Sequence, residues 1–109
     1  MKLIKTDIEG VVIIEPKLWE DERGYFFESF QRECFKELTG LDIEFVQDNE
    51  SRSKEGVVRG MHFQLPPYAQ SKLVRVVRGE ILDVAVDIRR GSPTFGRSVA
   101  VRLSEENHR

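Results

Sequence analysis

A chain of 109 residues has room for one domain, and this one is 39% hydrophobic and 33% charged with a formal net charge of −2. A balance so close to neutral argues against broad nucleic-acid binding, which needs a basic excess, yet it leaves room for a local cationic pocket for one small anion. Cys34 is the only cysteine, which excludes an internal disulfide and a thiolate metal cluster. There is no leader-like start and no apolar run approaching about 18 residues, so a cytoplasmic protein without membrane contact is expected. Cys34 itself is read as a small buried hydrophobe, since no histidine stands near it in sequence to make it a nucleophile.

In chain order, strand signals dominate. Val11 to Ile14 is a β-branched run that Pro16 ends. Gly24 to Phe30 is aromatic-rich and reads as a strand. Residues 31–38 form the one convincing helix of about two turns: Cys34, Phe35 and Leu38 fall at helical spacing, and Gly40 stands as a C-terminal stop. From Phe45 onward the pattern is β. Lys72–Arg78 and Glu80–Arg89 flank Gly79 as the arms of a hairpin. In the second arm Leu82, Val84, Val86 and Ile88 alternate with Asp83, Asp87 and Arg89, which predicts an apolar face in the core and a polar face outward. Gly91-Ser92-Pro93 makes a turn, and Val99, Val101 and Leu103 alternate again. Short strands separated by glycine- and proline-containing turns point to a barrel or sandwich. With about six strands, too few to close and hide its edges, the chain is expected to be the first part of a longer domain.

Chemistry concentrates between Gln47 and Lys72. Gln47-Asp48-Asn49, Ser51, Ser53, Arg59-Gly60-Met61-His62-Phe63-Gln64 and Gln70-Ser71-Lys72 put hydrogen-bonding groups where a purely structural sheet would carry apolar ones. Such groups resist burial unless they meet partners or a polar ligand, so a sheltered small-molecule cavity holding both His62 and Lys72 is expected. A neutral imidazole can take a proton from a carbon beside a ketone, provided that a cation meets the enolate oxygen as it forms. A preorganised donor of that kind typically contributes about 3–4 kcal/mol. Arg59 and His62, three residues apart, would face opposite sides of a regular strand, so a bulge or kink at Gly60 is required if both point inward.

The spacing Gly56, His62, Gln64, Lys72, Gly79 resembles the first motif of the cupin superfamily. The slots that hold histidine and glutamate in metal-binding cupins are here Gln64 and Lys72. An ammonium repels a divalent ion and an amide is a weak ligand, so no metal site is expected.

Five motifs in order along the chain make the resemblance specific: Asp21 to Glu28, Gln47 to Ser51, Arg59 to Gln64, Gln70 to Val74, and Asp83 to Arg89 continuing through Ser92 to Gly96. Together they are similar to the dTDP-4-dehydrorhamnose 3,5-epimerase family over essentially the whole chain. The resemblance implies an all-β, cupin-like jelly roll without metal or other cofactor, here incomplete, with one short helix and working as a homodimer. It implies inversion at C3 and C5 of a dTDP-linked 4-keto-6-deoxyhexose, both carbons flanking the C4 ketone. By the same resemblance His62 is the proton acceptor, Lys72 lies beside the keto oxygen, and Arg59, Gln47, Asp48 and Asn49 contact substrate. Arg23 and Glu28 would reach the nucleotide from the partner subunit; without the resemblance, Asp21-Glu22-Arg23-Gly24 is a solvated turn. The family's opposite-face tyrosine and its histidine-orienting carboxylate fall beyond residue 109, and neither Tyr25 nor Tyr68 matches that tyrosine. Two alternatives come from other classes: a non-catalytic sugar-nucleotide binding module, and a dimerisation fragment resting on Tyr25, Phe26, Phe27 and Phe30.

Overall fold

The computed structural model describes all 109 residues. Six strands and one helix follow in the order β1 Lys2–Lys5, β2 Val12–Glu15, β3 Trp19–Asp21, β4 Gly24–Phe26, α1 Arg32–Thr39, β5 Glu80–Val86 and β6 Ser98–Ser104. They pair as three separate antiparallel ladders, β1 with β2, β3 with β4 and β5 with β6. Each is a local return of the chain, the pairing with the lowest loop-closure cost.

The turn between β1 and β2 is built by Thr6, whose hydroxyl donates to the Val11 carbonyl at 2.7 Å and accepts from the Ile8 amide. That turn delivers Ile8 into the core. In the β3–β4 hairpin Trp19 stands opposite Phe26, with ring centroids 6.0 Å apart, and Lys17 lies over the Trp19 ring. The aromatic strand is shorter than expected. It ends at Phe26, because the chain from Phe27 leaves to enter the helix.

The helix forms where its caps put it. The Gln31 side chain accepts from the Cys34 amide, Gly40 closes the other end at φ 74°, and its N–H bonds the Lys36 carbonyl. Arg32 and Lys36, one turn apart, both hold Asp42 and keep its carboxyl below the ordinary range, Lys36 the more strongly. Phe35 packs against Phe30 and Phe45, the three ring centroids 5.4–5.8 Å apart. Cys34 is exposed rather than buried. Phe35 takes the inward position on this short helix, and its neighbour is turned about 100° away by the helical pitch.

Two further expectations are corrected. Lys72–Arg78 is not the first arm of a hairpin at Gly79. Glu80–Val86 pairs instead with Ser98–Ser104 over seven residues, and the ladder extends to Gly79 through the Glu105 amide. Residues 41–79 carry strand-like composition but form no ladder, since extended backbone becomes sheet only where a second strand meets its N–H and C=O groups. The polarity of β5 is also reversed. Val99, Val101 and Leu103 share a face with Ala85 and Asp83, and along this side Leu103 and Asp87 are buried. Leu82, 69% exposed, stands with Val84 and Val86 on the uncovered side. Alternation specifies two faces but does not say which of them is covered.

Asp87 organises the β5–β6 connection. Its carboxylate accepts from the Arg89 amide and Nε at 3.0 and 2.9 Å, from Arg89 Nη2 at 2.9 Å, and from the Ser92 and Thr94 hydroxyls at 2.5 and 2.7 Å. Its backbone bonds Arg97 and Gly96. Beyond β6, Ser104 and Asn107 bond each other reciprocally, which turns His108 between the Tyr25 and Phe27 rings and brings Arg109 to Glu15 at 2.7 Å.

Only Ile8, Phe35 and Leu103 are buried among the apolar side chains. The accessible surface is 9534 Å², against about 6,200 Å² expected for a compact monomer of this mass. The radius of gyration is 15.3 Å, where about 13 Å is expected for a compact domain of this length. This is an open structure with much apolar surface facing water.

The Arg89 guanidinium, then the Ser92 and Thr94 hydroxyls, hold the Asp87 carboxyl well below the usual carboxylate range. A depressed folded-state value means that the group contributes stability above its ordinary value of 3.8 and loses that contribution as pH falls below it. Asp87→Asn is expected to lower the thermal midpoint at neutral pH by roughly 5–10 °C. The variant should also show a shallower loss of stability below pH 3.8 than the parent, followed by circular dichroism.

Candidate functional site

The predicted site residues all lie on hairpin turns and extended segments, and all are exposed. Gln47, Asp48 and Asn49 follow Phe45, which the aromatic cluster anchors. In extended backbone residues two apart share a side, and here the Gln47 amide reaches Asn49 Oδ1 at 3.2 Å. Asp48 is exposed between them. At Lys54–Val57 the Val57 amide bonds the Lys54 carbonyl, with Gly56 at φ 77°, and the chain turns back. Arg59 consequently lies alongside the segment just traversed. Its Nε donates to Ser53 Oγ at 2.9 Å, and its Nη2 to the Arg52 carbonyl.

Between Arg59 and His62 stands Gly60 at φ 128°, in the region that side-chain-bearing residues avoid. The backbone thus departs from strand geometry at Gly60, between Arg59 and His62. The His62 ring lies close over it, its Cδ2 3.6 Å from where a Cβ on Gly60 would stand. Lys72 Nζ donates to Gln70 Oε1 at 3.3 Å, again two residues away on one side of an extended segment.

Arg23 is bound by its own hairpin turn. Its Nη2 meets Asp21 Oδ2 at 2.6 Å, and its amide bonds Asp21 Oδ1 at 2.9 Å. This pair raises the basicity of Arg23 and depresses the Asp21 carboxyl, but both partners face solvent, where such pairs are weak. Glu28 lies exposed just past β4, on the link to the helix.

The sheltered cavity expected around His62 and Lys72 is not formed by this chain, since both side chains face solvent. Two clefts lie elsewhere. One, of about 250 Å³, separates the Ile8–Val11 turn from Ala85–Arg89, and the other, about 30 Å³, is bounded by Phe27, Leu73–Arg75 and His108–Arg109. None of the eight predicted residues lines either cleft. No group of histidine, cysteine and carboxylate side chains converges with metal-ligand geometry. No helix is long and apolar enough to cross a membrane.

Three supporting residues went unassigned in the sequence reading. Ser53, Gln70 and Asp21 hold Arg59, Lys72 and Arg23 in turn. The two-residue offset was a usable signal for Gln70 and Asp21; Ser53 needs the turn at Lys54–Val57.

Antiparallel β ladders with one short helix, and a polar segment bent at glycines, place the chain among cupin-like folds, in agreement with the expected class. The model of the dTDP-4-dehydrorhamnose 3,5-epimerase family matches residues 5–109, and the chain belongs to that family. It is 61% identical over 109 residues to a dTDP-4-dehydrorhamnose 3,5-epimerase of Shigella flexneri, covering all of this chain and 60% of that protein. A crystal structure of such an epimerase from Elizabethkingia anophelis superposes with a TM-score of 0.92 at 52% identity, over 99% of this chain and 59% of that one. A Legionella pneumophila dTDP-6-deoxy-D-glucose-3,5-epimerase solved with dTDP-4-keto-L-rhamnose gives 0.91 at 57% identity, over 97% and 56%. The chain thus spans about 60% of the length of the curated relatives it matches. The path of residues 41–79 lies within the superposed part, although it forms no ladder here.

Gly60→Ala is expected to destabilise the protein by about 1–3 kcal/mol, the cost of holding a side-chain-bearing residue in that backbone region. Met61→Ala, at an exposed neighbour, should change stability little. Urea unfolding of the two variants checks both.

Proposed function

We propose that this chain carries the proton-abstracting part of a cytoplasmic, homodimeric dTDP-4-dehydrorhamnose 3,5-epimerase acting on dTDP-4-dehydro-6-deoxy-D-glucose. The observation that carries the reading is the superposition, at 57% identity over 97% of the chain, on an enzyme with dTDP-4-keto-L-rhamnose bound. It is supported by a polar segment that bends at Gly60 between a cation and an imidazole.

In this reading His62 removes the proton from C3 or C5, leaving a carbanion delocalised into the C4 ketone. The Lys72 ammonium meets the resulting enolate oxygen, the point at which charge develops, and no metal or organic cofactor is used. Arg59, Gln47, Asp48 and Asn49 contact the substrate, Arg59 as a cation suited to its phosphates. Arg23 and Glu28 come from the partner subunit, beside the exposed rings of Trp19, Tyr25 and Phe26. Inversion needs an acid on the opposite face, and neither Tyr25 nor Tyr68 is assigned to it. The remaining family length supplies that acid, the carboxylate that orients His62 and the strands that face residues 41–79. Covering those strands shelters His62 and Lys72 from water and strengthens their electrostatic action.

A second reading, a sugar-nucleotide binding module without turnover, is favoured by one observation: His62 and Lys72 both face solvent in this chain.

The protein expressed from the full reading frame should wash deuterium from heavy water into C3 and C5 of the substrate, followed by proton NMR. His62→Asn should lower that exchange roughly a hundredfold or more while dTDP affinity stays within about twofold. Exchange unaffected by the substitution would overturn His62 as the base, and exchange absent from the parent would favour the binding module.

A further inference from the structure

We propose that Ser53 is the positioning residue for Arg59, holding its guanidinium at the angle at which it meets the phosphates of the nucleotide. This rests on the nucleotide-sugar reading of the site and assigns to it a residue that contacts Arg59 in place of substrate.

The geometry follows from the turn at Lys54–Val57. Gly56 at φ 77° lets the chain double back within four residues, which brings position 59 beside positions 52 and 53. Arg59 then has two anchors on the opposite arm. The Ser53 hydroxyl accepts from Nε at 2.9 Å, and the Arg52 carbonyl accepts from Nη2 at 3.4 Å. The first is the short contact, and it engages the nitrogen nearest the side-chain stem. A guanidinium has five N–H donors in one plane. Fixing Nε sets the orientation of that plane and leaves Nη1 entirely free for an anion. A flexible arginine would lose rotamer freedom on binding, and a guanidinium already held against Ser53 has lost part of it beforehand. No carboxylate bonds Arg59 in this structure, unlike Arg23, which Asp21 occupies. A hydroxyl suits the task because it orients the cation without neutralising it.

The test is a double-substitution cycle on the protein from the full reading frame, read by calorimetric titration with dTDP and by steady-state kinetics. Ser53→Ala should weaken dTDP binding roughly threefold to tenfold and raise KM in proportion, with kcat nearly unchanged. Ser53→Thr, which keeps the acceptor, should restore affinity. In an Arg59→Ala background the same Ser53→Ala change should have no further effect, because the group it positions is gone. Affinity unchanged in Ser53→Ala while Arg59→Ala weakens binding would overturn this proposal alone. An equal, additive loss in both backgrounds would also overturn it, since a merely structural role predicts that result. Unchanged dTDP affinity in Arg59→Ala would overturn both this proposal and the nucleotide-binding role of the site.

Discussion

The return of the chain around Asp87 is the constraint on which the rest of this structure depends. A carboxylate with side-chain exposure of zero is tolerated because every approach to it is taken by a donor: the Arg89 fork, the Arg89 amide, and two hydroxyls. That knot sets where β5 stops and β6 starts, hence the register of the one long ladder. The register in turn fixes where the Ser104–Asn107 turn falls. From there His108 reaches the aromatic rings of the β4 end and Arg109 reaches Glu15 of β2. One buried anion thereby ties the β5–β6 ladder to both N-terminal hairpins. The motif that runs from Asp83 to Gly96 is conspicuous in the sequence, yet its centre is architectural. Asp87 touches its own loop and none of the predicted substrate-binding residues.

Around that frame the molecule is open. Its surface exceeds that of a compact monomer of equal mass by about half. The excess falls on the Leu82–Val84–Val86 side of β5, on the Trp19–Phe26 hairpin and on residues 41–79. The close superposition on epimerase crystal structures that are considerably longer gives this distribution a reason. In the proposed reading these are the surfaces that meet the remaining strands of the domain and the second subunit.

The candidate site shows how an extended segment can be prepared for chemistry before it is enclosed. Its cations are each held by a polar neighbour, Arg59 by Ser53, Lys72 by Gln70 and Arg23 by Asp21. Two of these partners lie only two residues away, Asp21 across the β3–β4 turn and Gln70 on the segment that carries Lys72. Glycine shapes the path: Gly56 turns the chain and Gly60 bends it between Arg59 and His62. Exposed hydrogen bonds of this kind add little to stability. Their value in the proposed enzyme is orientation, which matters more once water is excluded.

The amino-acid sequence alone determined the family, the β-rich class and the helix with its Gly40 stop, and it supplied the polar residues on which the proposed site rests. These are local matters: caps, turn glycines, alternation and motif order are properties of a few consecutive residues. It also made a break at Gly60 the condition for Arg59 and His62 to serve one site, and the backbone at Gly60 does depart from strand geometry. Tertiary structure decided which strands pair, which face of β5 is covered, that Phe35 and not Cys34 enters the core, and that His62 and Lys72 face water in this chain. Those outcomes depend on what lies across from a residue in space. A strand paired on one side and the same strand paired on the other carry the same alternation, so no local pattern distinguishes them.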